Sequence, residues 1–361
     1  VKKLKVIYMS IKRLDKEDYV FLPEFRDHDE VIKIEDSEVG LLGFVGIHKK
    51  LSGIPALGAT RLWKYKTEEE ALRDALRLSR LMSYKSAMAG LPYTGGKAAL
   101  VWNEKIEENR EAFFRSYAKH IEEIAGQFVT GTDMGVSNTD VDVMQKETSH
   151  VIGRGVDPGY FTAVGVYNGI EVCLEECFKN TEIKDRSFAI QGLGKTGIGL
   201  VNLLSEQGAK LFVTDIDQSV IESVKNLYPD VVVVSPDEIH KMDVDVFCPC
   251  ASHSMVNEKT VKEFNCKIIA GSANNQLTSK GMGKVLYENN ILYAPDYIIN
   301  AGGIISVVDE FENGTHNADR IRRKLLVIKG SLRSVFDESS DNKEPPSSVA
   351  DEIAQEIISK K

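Results

Sequence analysis

The stretch that most restricts how this chain can fold is "AIQGLGKTGIGLV", residues 189–201. It carries Gly192-x-Gly194-x-x-Gly197 between a run that reads as a strand, "SFAIQGLG", and one that reads as a helix, "KTGIGLVNLLSEQGA". A second strand, "KLFVTDID", follows and brings Asp215 to a position 23 residues after Gly192. That spacing matches the fingerprint of a dinucleotide-binding βαβ unit, in which an acid stands about 20 residues on. Gly192 permits the tight turn, Gly194 lets backbone approach a pyrophosphate, and Gly197 lets helix and strand pack closely. The helix N-terminus adds free N–H groups and partial positive charge. A glycine-rich turn without a ligand is the competing reading. The flanking strand, helix and acid argue against it. Asp215 would accept hydrogen bonds from the adenosine ribose. Asp217 follows, and no Arg or Lys occurs before Lys225. A 2′-phosphate would be repelled there, so NAD is favoured over NADP.

From about residue 187 the alternation continues. "SVIESVKNLYP" reads as a helix; "VVVVS", "VDVFCPCA" and "CKIIAGSA" as strands; "SKGMGKVLYENN" as a helix; and "ILYAPDYII" as a strand. Apolar strands separated by helices indicate a parallel sheet covered on both faces. "DPGYFTAVGVYNGIEVCLEECF" reads as a helix leading into this region. The chain has 361 residues, more than one core usually holds, so two domains are expected. The first, residues 1–147, mixes patterns: "GLLGFVGIHKK" is strand-like, and "NREAFFRSYAKHIEEIAG" is a helix closed by Gly126. "TEEEALRDALRLSRLMSYKSAMAG" is an amphipathic helix with Thr67 and Glu70 in a capping-box pattern. Residues 148–340 form the dinucleotide-binding domain, and a last helix, 345–361, is expected to pack back on the first. The fold class is therefore α/β, an N-terminal α/β domain followed by a Rossmann domain.

The net charge is −9, and the densest basic cluster, Arg320, Arg322, Arg323 and Lys324, lies in a helical pattern. It reads as a solvated face, and the acidic balance argues against a nucleic-acid partner. No apolar run approaches the roughly 20 residues of a membrane span. The N-terminus lacks the apolar core of a secretory signal, so the default compartment is cytoplasmic. Five cysteines (Cys173, Cys177, Cys248, Cys250 and Cys266) are an odd number without zinc spacing, which argues against a disulfide framework. Cys173 and Cys177 are expected to face a core. Seven scattered histidines suggest no metal site.

Chemistry beyond nucleotide binding must come from other residues. In "MSYKSAMAGLPYTGGKAAL", residues 82–100, Lys85 and Lys97 stand among small and apolar neighbours with no carboxylate. Desolvation lowers a lysine's pKa, and a lysine brought to roughly 7–8 can act as a general base. That role suits Lys97. Lys85 could keep its charge by meeting an anionic substrate group. "TGTDMG" presents Asp133 between glycines, where a carboxylate could enter a cleft. Two lysines and an aspartate facing a nicotinamide suit oxidation at a carbon bearing an amine and a carboxylate. Each residue alone is more simply a surface lysine or a capping aspartate. Their co-occurrence with a dinucleotide fingerprint reverses that balance.

Eight ordered segments, "GIPALGATR", "MSYKSAMAG", "TGGKAAL", "TGTDMG", "AIQGLGKTG", "LFVTDID", "IAGSANNQL" and "LYAPDYIINAGG", resemble the glutamate/leucine/phenylalanine/valine dehydrogenases. The resemblance implies a catalytic N-terminal domain, a Rossmann domain and a cleft between them. It implies reversible NAD-dependent oxidative deamination of an L-amino acid to a 2-oxo acid and ammonia, by an oligomer assembled through its N-terminal domain. It places the lysine that holds the α-carboxylate at Lys85. The lysine that polarises the carbonyl and serves as base toward water falls at Lys97, and the proton-shuttling aspartate at Asp133. Asn300 would position the substrate and border the cofactor, Thr162 would contact the carboxamide, and Asn274 the nicotinamide ribose. Lys195, Thr196, Ile216, Cys250, Ala251 and Ala273 complete the implied cofactor contacts.

Glutamate-specific members usually carry a lysine where this chain has Leu57, before Gly58. Burying an unpaired carboxylate against leucine would cost several kcal/mol, so an apolar side chain is expected. Gly131 replaces the alanine common in leucine-type members and would leave more room, as in phenylalanine-type ones. Leucine against phenylalanine stays open, because one or two methylenes shift selectivity by only roughly 1–3 kcal/mol. The chain departs from the family at Thr94 and Ala59, each in place of a glycine, and at His253 in "CASHSMVN". The alternatives are a glutamate dehydrogenase of the same family, a non-catalytic NAD-binding sensor, and a hydroxy-acid oxidoreductase. The sensor would predict a damaged Lys97 or Asp133. The hydroxy-acid enzyme would predict a histidine–acid pair that is not recognisable.

Overall fold

A computed structural model of the chain describes residues 9–124, 126–153, 157–251 and 254–361. The chain divides into two compact units, Val1–Gly155 with Ile357–Lys361, and Val156–Glu356.

The first unit is built on a mixed sheet of β1 (Met9–Arg13), β2 (Glu30–Asp36), β3 (Leu41–Ile47), β4 (Ala56–Trp63), β5 (Thr94–Val101) and β6 (Phe128–Val129). Its order is β1-β2-β3-β5-β4-β6. β1, β2, β3 and β5 pair antiparallel, and β5, β4 and β6 parallel. β5 is buried along nearly its whole length, as its run of small and apolar residues dictates for a central strand. Ala98 and Leu100 belong to a core with Phe113, Phe114 and Tyr117 of the helix Arg110–Glu123. Ala99 faces the opposite way, toward Ala71, Leu72, Ala75 and Leu76 of the helix Glu68–Met88. Thr67 caps that helix by accepting the Glu70 amide at 3.2 Å. The expected reciprocal bond is displaced by one residue, since Glu70 accepts the amide of Lys66 instead, at 2.8 Å.

The second unit holds a fully parallel sheet of β7 (Ser187–Gln191), β8 (Lys210–Thr214), β9 (Val232–Val233), β10 (Val246–Pro249), β11 (Ile268–Ile269) and β12 (Leu292–Tyr293). The order β12-β11-β10-β7-β8-β9 reverses direction at β7 and β10, the switch point where doubly wound sheets bind ligands. The helices Pro158–Phe178, Lys195–Ser205, Gln218–Leu227 and Lys280–Glu288 stand where the sequence pattern puts them. "ILYAPDYII" is a strand only over β12. Pro295 ends it, and Asp296–Ile299 is a short helix. The last helix spans Pro346–Ser359, and only residues from Ile357 onward group with the first unit.

Two surface expectations change in part. Arg322 and Arg323 of the basic cluster are exposed as expected, while the partly exposed Arg320 and Lys324 also turn onto the fully buried Asp309, at 2.7 and 2.9 Å. Cys173 is buried, whereas Cys177 is exposed. Among the described residues no helix is long and apolar enough to cross a membrane.

His28 and His48 stack edge to face in the first unit with ring centroids 4.9 Å apart. Nε2 of His28 donates to the Leu76 carbonyl at 2.8 Å, and Nε2 of His48 to the Arg26 carbonyl at 3.1 Å. Burial pulls His28 down to about 4 and His48 to about 3; for His48 the neighbouring His28 adds to it. The unfolded chain takes up these protons near 6.5, so the unfolded state binds more protons over the window between. Stability is therefore lost as the pH falls from about 6.5 toward 4. Urea unfolding should report a loss on the order of 3 kcal/mol between pH 6.5 and 5. His48→Asn should lose part of that slope; a flat profile in the wild type would contradict the assignment.

Candidate active site

β4 and β5 run side by side with Ala59 opposite Lys97 and Leu57 opposite Gly95. Partners in a parallel register share a face, so Leu57, Ala59 and Arg61 point the same way as Gly95, Lys97 and Ala99. A Cβ at Gly95 would overlap the Ser79 carbonyl of the helix Glu68–Met88. The missing side chain lets that helix lie directly on β5, and Lys97 emerges beside it with 5 % of its surface exposed. Gly58 and Gly96 face the opposite way. A Cβ at Gly58 would overlap the Gly96 carbonyl, so strand packing accounts for that glycine.

Asp133 arrives through backbone pairing. Thr60 donates its amide to the Gly131 carbonyl and Leu62 to that of Met134, both at 2.9 Å, laying this segment along the edge of β4. Gly135 closes the turn with φ +79°, against the Leu62 carbonyl, where no side chain fits. Oδ2 of Asp133 then receives Lys97 Nζ at 2.7 Å and Arg61 Nε at 3.0 Å. Arg61 Nη1 reaches on to Asp74 at 2.9 Å, which also accepts from the Tyr65 hydroxyl at 2.8 Å and Arg77 at 2.6 Å. The sequence reading missed Arg61 and Asp74. Their signal was available in part, because Arg61 stands two residues beyond Ala59 on the strand face that carries Lys97.

Burial draws the Lys97 amine below its ordinary value of 10.5 even though Asp133 pulls the other way. Burial alone would raise Asp133, yet Lys97 and Arg61 outweigh it and hold the carboxyl at about 2. The pair is therefore an ionised carboxylate beside an amine that sheds its proton more readily than a free lysine. Such a pair can take a proton from water and receive hydrogen bonds from a cationic group.

Lys85 lies half-buried in the last turn of the helix Glu68–Met88. Leu57 is 1 % exposed. Gly131 is buried too. A Cβ there would stand 3.2 Å from the Ile152 carbonyl, so the space left by the missing methyl adjoins residues 150–152 rather than opening freely.

The glycine-rich loop of the second unit links β7 to the helix Lys195–Ser205. Gly192 has φ +97° and packs on Ala251, where any side chain would collide. A Cβ at Gly197 would overlap the Gly192 carbonyl. No described residue lies within 4 Å of a Cβ at Gly194, which stands at the helix N-cap with no side-chain cap. A cavity of about 360 Å³ opens there, lined by Gly194, Lys195 and Thr196, by Asp157, Pro158, Gly159 and Thr162, and by Cys250. Thr162 donates to the Pro158 carbonyl at 2.6 Å. Asp215 accepts the amides of Leu193 at 2.6 Å and Asp217 at 2.9 Å, tying the loop to the end of β8. Ile216, next to it, is 95 % exposed.

Asn300 donates to the Ser272 carbonyl at 3.1 Å and to Asn274 Oδ1 at 3.0 Å, while its own buried Oδ1 has no partner among the described residues. Ala273 is buried between them and donates to the Pro249 carbonyl at 2.9 Å. The uncapped helix start, the open space at Gly194 and the orphaned acceptor on Asn300 fit a dinucleotide. His253 lies outside the described residues.

Comparison with known proteins agrees with this chemistry. Residues 28–150 match the family "Glu/Leu/Phe/Val dehydrogenase, dimerisation domain", and residues 212–356 match "Glutamate/Leucine/Phenylalanine/Valine dehydrogenase". The leucine dehydrogenase of Geobacillus stearothermophilus is 38% identical over 93% of this chain and 92% of its own length. The phenylalanine dehydrogenase of Bacillus thermotolerans is 38% identical, covering 89% of this chain and 85% of its own. The crystal structure of L-tryptophan dehydrogenase from Nostoc punctiforme superposes with a TM-score of 0.82 at 34% identity, over 92% of this chain and 96% of that one.

The loop geometry separates two substitutions. Gly194→Ala should fold with wild-type urea stability and bind dinucleotide at least tenfold more weakly by fluorescence titration. Gly197→Ala should lose about 1–3 kcal/mol of stability, since its Cβ meets backbone. Equal stability losses in both variants would refute this reading.

Proposed function

The chain belongs to the glutamate/leucine/phenylalanine/valine dehydrogenase family, and on that premise we propose that it catalyses reversible NAD-dependent oxidative deamination of an apolar L-amino acid. In balance, the amino acid, NAD⁺ and water give the 2-oxo acid, ammonium, NADH and a proton. The observation that carries the reading is the buried Lys97 amine 2.7 Å from an Asp133 carboxylate held ionised.

The nicotinamide supplies the hydride acceptor at the substrate's α-carbon. Asp133 accepts the proton that frees the amine before oxidation. Lys97 polarises the electrophilic carbon and takes a proton from the attacking water, a task for which burial prepares it. Lys85 keeps its charge and holds the α-carboxylate. Asn300, whose buried Oδ1 has no partner among the described residues, would position the substrate, with Asn274 at the nicotinamide ribose and Thr162 at its carboxamide. The residues that would hold the cofactor are Gly192, Gly194, Lys195, Thr196 and Gly197, with Asp215 and Ile216 at its adenosine end and Cys250, Ala251 and Ala273 beside the nicotinamide half.

NAD is preferred over NADP because Asp215 and Asp217 would repel a 2′-phosphate. The apolar preference rests on Leu57, whose buried side chain offers a substrate carboxylate no partner. Residues 28–150, which match a dimerisation domain, are proposed to assemble a homo-oligomer.

A spectrophotometric panel tests the reading: leucine, valine, phenylalanine and glutamate with NAD or NADP at alkaline pH. NADH should form with the apolar amino acids, and kcat/KM should be higher with NAD. No reduced cofactor from any amino acid would sink the dehydrogenase assignment, and glutamate as best substrate would sink the Leu57 argument. Lys97→Ala should lower kcat by roughly 10²–10⁴-fold while NAD still binds. Wild-type turnover in that variant would remove Lys97 from the mechanism.

A further inference from the structure

We propose that Arg61 and Asp74 are positioning residues that tune the base character of Lys97 through Asp133. The proposal rests on the reading above and deepens it.

The geometry is a chain of alternating charge. Lys97 on β5 and Arg61 on β4 both bind Oδ2 of Asp133, at 2.7 and 3.0 Å. Lys97 therefore shares its counter-charge with a second cation, and a guanidinium cannot give up its proton in water's working range. Arg61 is in turn held at 2.9 Å by Asp74 of the helix Glu68–Met88. Arg77 and the Tyr65 hydroxyl fix Asp74 from their own sides, at 2.6 and 2.8 Å. Arg61 and Asp74 are both mostly buried, so little water screens the chain.

Each link acts on Lys97 with a definite sign. Arg61 draws on the Asp133 charge that would otherwise stabilise the Lys97 ammonium, so Arg61 favours the neutral amine. Asp74 draws Arg61 back and favours the ammonium. The electrostatics at Lys97 follow: after burial and Asp133, Arg61 lowers and Asp74 raises its affinity for the proton. Lys85, on the same helix as Asp74, stays unchanged in every variant below.

The two residues should thus move the same ionisation in opposite directions. A part that only supported the fold would slow both variants without that opposition. The test is the pH profile of kcat/KM for deamination of the best amino acid by the full-length protein. The same midpoint can be read without turnover by ¹⁵N NMR of the Lys97 amine. Relative to wild type, Arg61→Gln should move the midpoint up, and Asp74→Asn should move it down, each by about half a pH unit or more. Arg61→Lys, which keeps the charge, should stay near wild type. If Arg61→Gln does not fold, the downward shift in Asp74→Asn and the unshifted Arg61→Lys decide the matter. Unmoved midpoints, or shifts of one sign in both variants, overturn the proposal. An inactive wild type whose NMR midpoints still move apart would sink the dehydrogenase reading and leave this inference standing.

Discussion

A lysine with 5 % of its surface exposed, its amine 2.7 Å from an aspartate, is the contact on which the candidate site of the first unit depends. Taking two charges out of water costs several kcal/mol per ion, and a 2.7 Å pair recovers that only with further partners. Those partners are Arg61 on Asp133 and Asp74 on Arg61. The backbone bears the burden of placement. Gly95 brings the helix Glu68–Met88 onto β5, and two amides of β4 hold the Asp133 segment along the strand edge. Together they fix one carboxylate oxygen within reach of two cations.

The second unit answers a different constraint, a glycine-lined helix start left open at the switch point of its sheet. Gly192 and Gly197 are required by the packing of the loop itself, whereas no described residue lies within 4 Å of where a Cβ at Gly194 would stand. A glycine with open space around its absent side chain, at an uncapped helix start, is most simply explained by something bound there. Asp215 serves both purposes. It ties the loop by accepting two amides, and its remaining lone pairs are available to hydroxyls.

What could be read from the sequence was local. The glycine-rich turn between strand and helix, its acid at the end of the next strand and the Thr67 cap depend on neighbours within about twenty residues and stand where the sequence puts them, although the Glu70 half of the capping box pairs with Lys66 instead. Lys97 and Asp133 were recognisable as residue types in a setting, but the 2.7 Å contact between them depends on β4 pairing with the segment 130–134, which no local pattern encodes. Arg61 was legible only in part for the same reason: its spacing from Ala59 is in the sequence, but the β4–β5 register is what puts it on the Lys97 side. The errors have the same origin. The pairing of the partly exposed Arg320 and Lys324 was missed because nothing nearby in sequence announces a buried Asp309. "DYII" looked like a strand because its apolar residues mask the break at Pro295. That Ile152 borders the space left at Gly131 was equally out of reach, because a distant bridge brings it there.

The central claim is that burial leaves Lys97 easier to deprotonate than a free lysine despite its ion pair. Its most direct test is the ionisation of that one amine in the wild-type protein, followed by ¹⁵N NMR of labelled lysine with Lys97 assigned by substitution. The account predicts a midpoint clearly below 10.5, the ordinary lysine value. A midpoint at or above 10.5 would mean that Asp133 outweighs burial, and Lys97 would then be a fixed cation rather than a base.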